Sequence, residues 1–131
     1  MSQGVDSLDT DALIQKLDDA IDELELLINA ANKQIEINNG IIADAQGRID
    51  KIENKITGDG MLDADQLLAI GLAAGLKGEV YQESQRNIQR IYAQQRDAAI
   101  AENKLLSRNI GNWKALQVKF QSSKERLLSR E

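Results

Sequence analysis

Residues 59 to 65, DGMLDAD, bring three carboxylates, Asp59, Asp63 and Asp65, within seven positions. A cluster of this kind is where metal or acid–base chemistry is first sought. A calcium-binding EF-hand loop needs a central Gly for its sharp turn and a bidentate Glu at its twelfth position, and neither is in place. Asp63 serves better as a helix N-cap, with Gln66 at the third helical position and Leu62 and Leu67 placed as a hydrophobic staple. The chain has no Cys and no His, which removes disulfides, thiolate ligands, a nucleophilic thiol and the commonest general base. No Gly-rich phosphate loop and no activated Ser can be recognised. The expectation is a non-enzyme that uses no metal and no cofactor.

The elements that would carry these side chains are helices. Proline is absent, aromatics are 3%, and Ala, Leu, Ile, Gln and charged residues dominate the 131 positions, a mixture that favours helix and leaves little for a sheet core. From Ile14 a 3,4 spacing of apolar residues can be followed to Ile56, with isoleucine at every seventh position: Ile14, Ile21, Ile28, Ile35, Ile42, Ile49 and Ile56. The intervening seam positions are Leu17, Leu24, Ala31, Asn38, Ala45 and Ile52. This register crosses Asn39-Gly40 unbroken, which predicts a helix running through that dipeptide; a corner there is the competing reading. Asn38 is the one polar residue on the seam, the usual device for setting register or oligomeric state.

Gly58 and Gly60 predict the end of this first helix, giving a flexible segment 1–8, a helix over 9–57, a loop over 58–62 and a second helix over 63–109. The fold expected is all-α, an elongated antiparallel two-helix hairpin of coiled-coil type. A fold centred near residue 60 sets residue i beside residue 119 − i. Ala45 and Gly47 then face residues 69–78, where Gly71 and Gly75 offer a small-residue face for close packing. The second seam is read through Leu67, Ile70, Ala74, Tyr81, Ile88, Ile91, Ala98 and Leu105. After a one-residue slip it continues through Leu106, Ile110, Trp113 and Phe120.

The same arithmetic leaves residues 110–131 without an intramolecular strip to lie on. This basic, amphipathic extension carries the only Trp and the only Phe, so Ile110, Trp113, Leu116, Phe120 and Leu127 are the candidate protein-binding residues. A separate short helix folded back on the hairpin is the alternative. Apolar Leu13, Leu26, Leu27, Ile37 and Ile41 lie beside the first seam and ask for further helices, so homo-oligomer formation or a protein partner is expected.

Charge runs along the chain, with 15 acids against 5 bases in residues 1–65 and 2 against 7 in residues 104–131. The acidic head is expected beside Lys104 and Arg108 in the hairpin. No nucleic-acid motif is present, and the acidic first helix would repel phosphate, so no nucleic acid partner is expected. The apolar run QLLAIGLAAGL at 66–76 is too short to span a bilayer, for which about 20 residues are needed, and its Ala and Gly suit hairpin packing better than membrane insertion. No secretory signal is visible, and the expected location is the cytoplasm or a larger assembly.

Three functions compete on these grounds. The first is a structural or adaptor coiled-coil protein of a macromolecular assembly such as a virion or secretion apparatus. The second is a small escort chaperone that shields a client's amphipathic helix, and the third a membrane-active hairpin with its tip at 66–76. In layout alone, by length and hairpin form, the chain is similar to the two-helix stalk and chaperone proteins of bacterial type III export machines. Its acidic head departs from the basic N-terminus of the stalk group, and no family is assigned.

Overall fold

The structure, a computed structural model, describes residues 3–57 and 76–130. Two helices, α1 (Gln3–Thr57) and α2 (Leu76–Ser129), account for nearly all of them, and the chain is an all-α helical hairpin. The expected loop at 58–62, the Asp63 cap, Gly71, Gly75 and nearly all of the 66–76 tip lie outside the described residues. α1 begins at Gln3, six positions before the expected start at Asp9. It passes through Asn39-Gly40 without a corner. A helical Gly costs about 1 kcal/mol relative to Ala, and the isoleucine seam on both sides of Gly40 offsets that cost.

The inter-helix contacts form two units, Met1–Glu36 with Asn103–Glu131, and Ile37–Glu102. In the first, Ile28, Ala31 and Ile110 make the buried cluster, with Ile35, Leu106 and Trp113 packed against it. Leu24 is also buried, and Ile14, Leu17 and Ile21 are half-buried. Gln117 Nε2 donates to the Ile21 carbonyl oxygen at 3.3 Å and to Glu25 at 2.9 Å, and Lys124 meets Asp18 at 2.6 Å. Charge favours this pairing, because residues 3–36 hold 9 acids and 2 bases while 103–130 hold 1 acid and 7 bases.

In the second unit Asn38, Ala45, Ile52, Gln89 and Ala99 are buried, with Ile42, Ile49 and Ile56 half-buried. Asn38 Nδ2 donates to Glu102 at 3.2 Å, Arg96 to Gln46 at 2.8 Å, and Gln89 to the Ile49 carbonyl at 3.1 Å. All thirteen α1 seam positions read from the sequence, Ile14 to Ile56, are buried or half-buried.

Three expectations need correction. The bonded pairs of each unit, such as 21 with 117 and 38 with 102, have residue numbers adding to about 140 rather than 119. The difference is three heptads, so the seam keeps its phase while each residue meets a partner farther along α2. Asp18 of the acidic head therefore meets Lys124 rather than Lys104 or Arg108, and Ala45 and Gly47 fall opposite residues near 95 and 93. A Cβ built on Gly40, Gly47 or Gly111 would meet nothing within 4 Å, so close helix approach is not what these glycines provide.

The second correction concerns 110–131. α2 continues through Gly111 to Ser129, so this segment is neither a separate helix nor an overhang. Ile110 is buried against Ile28 and Ala31, Trp113 packs on the same cluster, and Phe120 and Leu127 are half-buried. Of the five residues expected to bind a partner, Leu116 alone is exposed. The displaced register supplies the strip that a fold about residue 60 left missing.

The third is the α2 seam. Its buried and half-buried positions run without a slip through Gln85, Gln89, Tyr92, Arg96, Ala99 and Asn103, then Leu106, Ile110, Trp113, Gln117, Phe120, Lys124 and Leu127. Ile91, Ala98 and Leu105, expected on the seam, are exposed. Polar side chains hold the seam there because their long arms reach α1 partners, as Gln89 reaches Ile49 and Arg96 reaches Gln46.

Candidate helix-docking face

Heptad letters make the two flanks of each unit explicit. On α1, Ile14 and its sevenfold repeats are a and Leu17 begins the d series; on α2, Gln89, Arg96, Asn103, Ile110, Gln117 and Lys124 are a, and Tyr92, Ala99, Leu106, Trp113, Phe120 and Leu127 are d. With the helices antiparallel, e flanks e and g flanks g. Arg86 and Glu53, both e, form an ion pair in the second unit, and Ile41, Gln95 and Glu102, all g, line one groove.

The e flank is polar. In the second unit Glu53 accepts from Gln89 at 3.0 Å and from Arg86, and these bonds, Gln89's first, hold its carboxyl below its ordinary value of 4.5. In the first unit Glu25, at e, accepts from Gln117. Ile100 and Leu128 are exposed apolar residues on this flank.

The opposite flank, made of g and the neighbouring c positions, carries most of the exposed apolar side chains, interspersed with charged ones such as Asp44, Arg48 and Lys51. The first unit exposes Leu13 and Leu27 at g of α1, Leu105 at c of α2 and Leu116 at g. The second exposes Ile37 (57%) and Ile91 (54%) at c, Ile41 at g, and Ala98 at c. A groove of about 450 Å³ in the second unit has Ala98 and Ala99 along α2 and Ile41 and Asn38 along α1, with Gln95 and Glu102 at its sides. Arg48, at g, donates to Tyr92 Oη at 3.3 Å and to Asp44 at 3.0 Å, with its guanidinium 5.4 Å from the Tyr92 ring centre. The bonds to Tyr92 and then Asp44 raise its pKa further above its ordinary value.

Chemistry is sparse by comparison. Among the described residues no three Asp, Glu, His or Cys converge as a metal site, and no helix is long and apolar enough to cross a membrane. Asn38, singled out as a register residue, is 3% exposed and bonded to Glu102. Leu13, Leu26, Leu27, Ile37 and Ile41 stand outside the seam, as their positions in the heptad require. Ile91, Ala98 and Leu105 were not foreseen on this face. The signal lay in the register of Leu106, Ile110, Trp113 and Phe120: carried backward unbroken, it runs through Asn103, Ala99, Arg96 and Tyr92 and leaves the three apolar residues at c. Comparison with protein families, curated proteins and solved structures finds no match, so the helical hairpin and its two unlike flanks are the basis for assigning a role.

Proposed function

We propose that the chain is a non-enzymatic structural or adaptor protein that holds helices against the apolar c and g flank of its hairpin. The observation that carries this reading is the uneven placement of exposed apolar side chains: among the described residues seven of the eleven large exposed Leu, Ile and Val side chains lie at c or g, shared between both units, and two, Ile100 and Leu128, lie at e. No side chain among the described residues is fully enclosed, so the paired helices leave their apolar residues partly wet. Fully burying a Leu or Ile side chain contributes about 1.5–3 kcal/mol, so covering the exposed half of each contributes about 1 kcal/mol. A further helix along this flank of either unit would gain that from several residues at once, the usual reason amphipathic helices associate in water.

Sizing of the tagged full-length chain in a native extract tests the proposal. The expected result is a particle larger than the purified chain's own species, which Leu27→Asp combined with Ile41→Asp returns to the purified size with helicity intact. Co-migration of wild-type chain in extract with the purified chain would overturn it.

A further inference from the structure

We propose that one occupant of this flank is a second copy of the chain, docked on the Ile37–Glu102 unit so that Ile91 of each copy seats in the groove beside Ala98 of the other. The inference deepens the docking reading above, on which it rests. Ile91 is a knob, 54% exposed at a c position of α2. The groove, about 450 Å³, lies on the same flank, lined along α2 by Ala98 and Ala99 and along α1 by Ile41. Knob and groove are seven residues apart, about 10 Å along the helix.

A knob and its matching hole on one face are what an isologous interface requires, because a two-fold axis between them lets each copy fill the other's hole at once. Here the axis passes between Gln94 and Gln95 with the two α2 helices antiparallel. Ile91 then opposes Ala98, and Ile88 opposes Ala101, large against small at both ends. Gln94 and Gln95 meet their counterparts at the axis, where amides can serve as both donor and acceptor.

Charge permits this contact between copies of an acidic chain. The protein carries −5 overall, yet residues 37–57 and 82–102 hold 6 acids and 6 bases. From Ile88 to Glu102 the c and g positions of α2 carry one charge, Glu102, which already accepts from Asn38. The α1 side of the flank adds Asp44, Arg48 and Lys51, with Arg48 and Asp44 paired to each other, so the face has no strong field of one sign for an oppositely charged partner and sets up little repulsion between two copies.

Light scattering of the purified full-length chain, with two single variants and their mixture, tests the inference. The wild type should be a dimer at about 100 µM. Ile91→Ala removes the knob and Ala98→Ile fills the hole; each should weaken self-association roughly 10-fold or more, the scale of a methylene-sized mismatch in an apolar pocket. Both positions are exposed and off the hairpin seam, so the circular dichroism melt of each variant should match wild type.

Mixing the two variants restores one Ala against one Ile at both contacts, so the mixture should dimerise as wild type does. A monomeric wild type, unaffected single variants, an unrescued mixture, or growth into open-ended polymers would each overturn the inference. A chain that is monomeric when pure but large in extract would sink the second copy and leave the adaptor reading standing. A pure dimer that stays a free dimer in extract would do the reverse.

Discussion

Replacing Ile28 by Ala removes the side chain at the centre of the first unit. Ile28 is 4% exposed and belongs to the cluster with Ala31 and Ile110, against which Ile35, Leu106 and Trp113 pack. Truncating a core Ile to Ala costs about 2–5 kcal/mol, the spread reflecting how far the neighbours collapse into the space. Collapse is easy here, because two helices alone cover the site and no described side chain is fully enclosed. The expected loss is therefore at the lower end, about 2–3 kcal/mol. For a domain of this size each kcal/mol lowers the melting temperature by about 3–5 °C, which predicts a fall of about 10 °C in a thermal melt followed at the helical circular dichroism band. Leu26→Ala, on the same helix but 69% exposed, is the control and should change stability by no more than about 0.5 kcal/mol. Trp113 emission should shift to the red in the Ile28 variant as water reaches the indole. The reasoning fails if Ile28→Ala melts within about 2 °C of wild type, or if Leu26→Ala costs as much.

Further outcomes follow from the same contacts. Asn38→Leu should raise the melting temperature while loosening register or oligomeric uniformity, because a buried polar seam residue trades stability for specificity; a less stable variant with one unchanged oligomeric state would contradict this. The Glu53 carboxyl is held below its ordinary 4.5, so its contribution is present above that value and is lost as pH falls through the lowered folded-state value. Glu53→Gln should thus be less stable than wild type at neutral pH, with the gap closing as the pH falls below 4.5, and a gap that does not change with pH would refute the assignment. Salt should destabilise the first unit, where 9 acids and 2 bases on α1 face 1 acid and 7 bases on α2. Raising ionic strength from about 0.01 M to 1 M shortens the screening length from about 30 Å to 3 Å. Lys124→Glu should lower the melt at low salt and much less at high salt, since the Lys124–Asp18 pair is lost and the repulsion that replaces it is screened.

The seam of α1 could be read from sequence because its isoleucines recur at one heptad position and its d positions, Asn38 apart, are apolar. Periodicity of that regularity leaves one face for a partner helix, and the Asn39-Gly40 dipeptide is too local to override it. α2 was harder for a physical reason. Its seam in the second unit runs through Gln85, Gln89, Tyr92, Arg96 and Ala99, largely polar, while apolar Ile91 and Ala98 there, and Leu105 in the first unit, face outward, so the more hydrophobic stripe is not the one that packs within the chain. Hydrophobic period reports that some face seeks cover, not which partner covers it. The register escaped for a related reason. Heptad phase is unchanged by a slide of seven residues, so a displacement of three heptads is invisible to the pattern, and the expected turn at Gly58 and Gly60 was the sole anchor. Ile110 and Trp113 were recognised as interface residues by type, but the interface they serve is the hairpin itself.

The pairing of α1 with α2 can be measured directly. The chain has no Cys, so spin labels can be placed singly at Asn39→Cys with Ile100→Cys, and at Asn39→Cys with Glu79→Cys. Pairing in which residue numbers add to about 140 sets 39 opposite 100, and predicts a backbone separation of about 10 Å for that pair and about 33 Å for 39 with 79, the inter-helix spacing combined with the rise of three heptads. The reverse order, with 39 close to 79 and far from 100, would contradict the register on which both the buried cluster and the exposed flank depend.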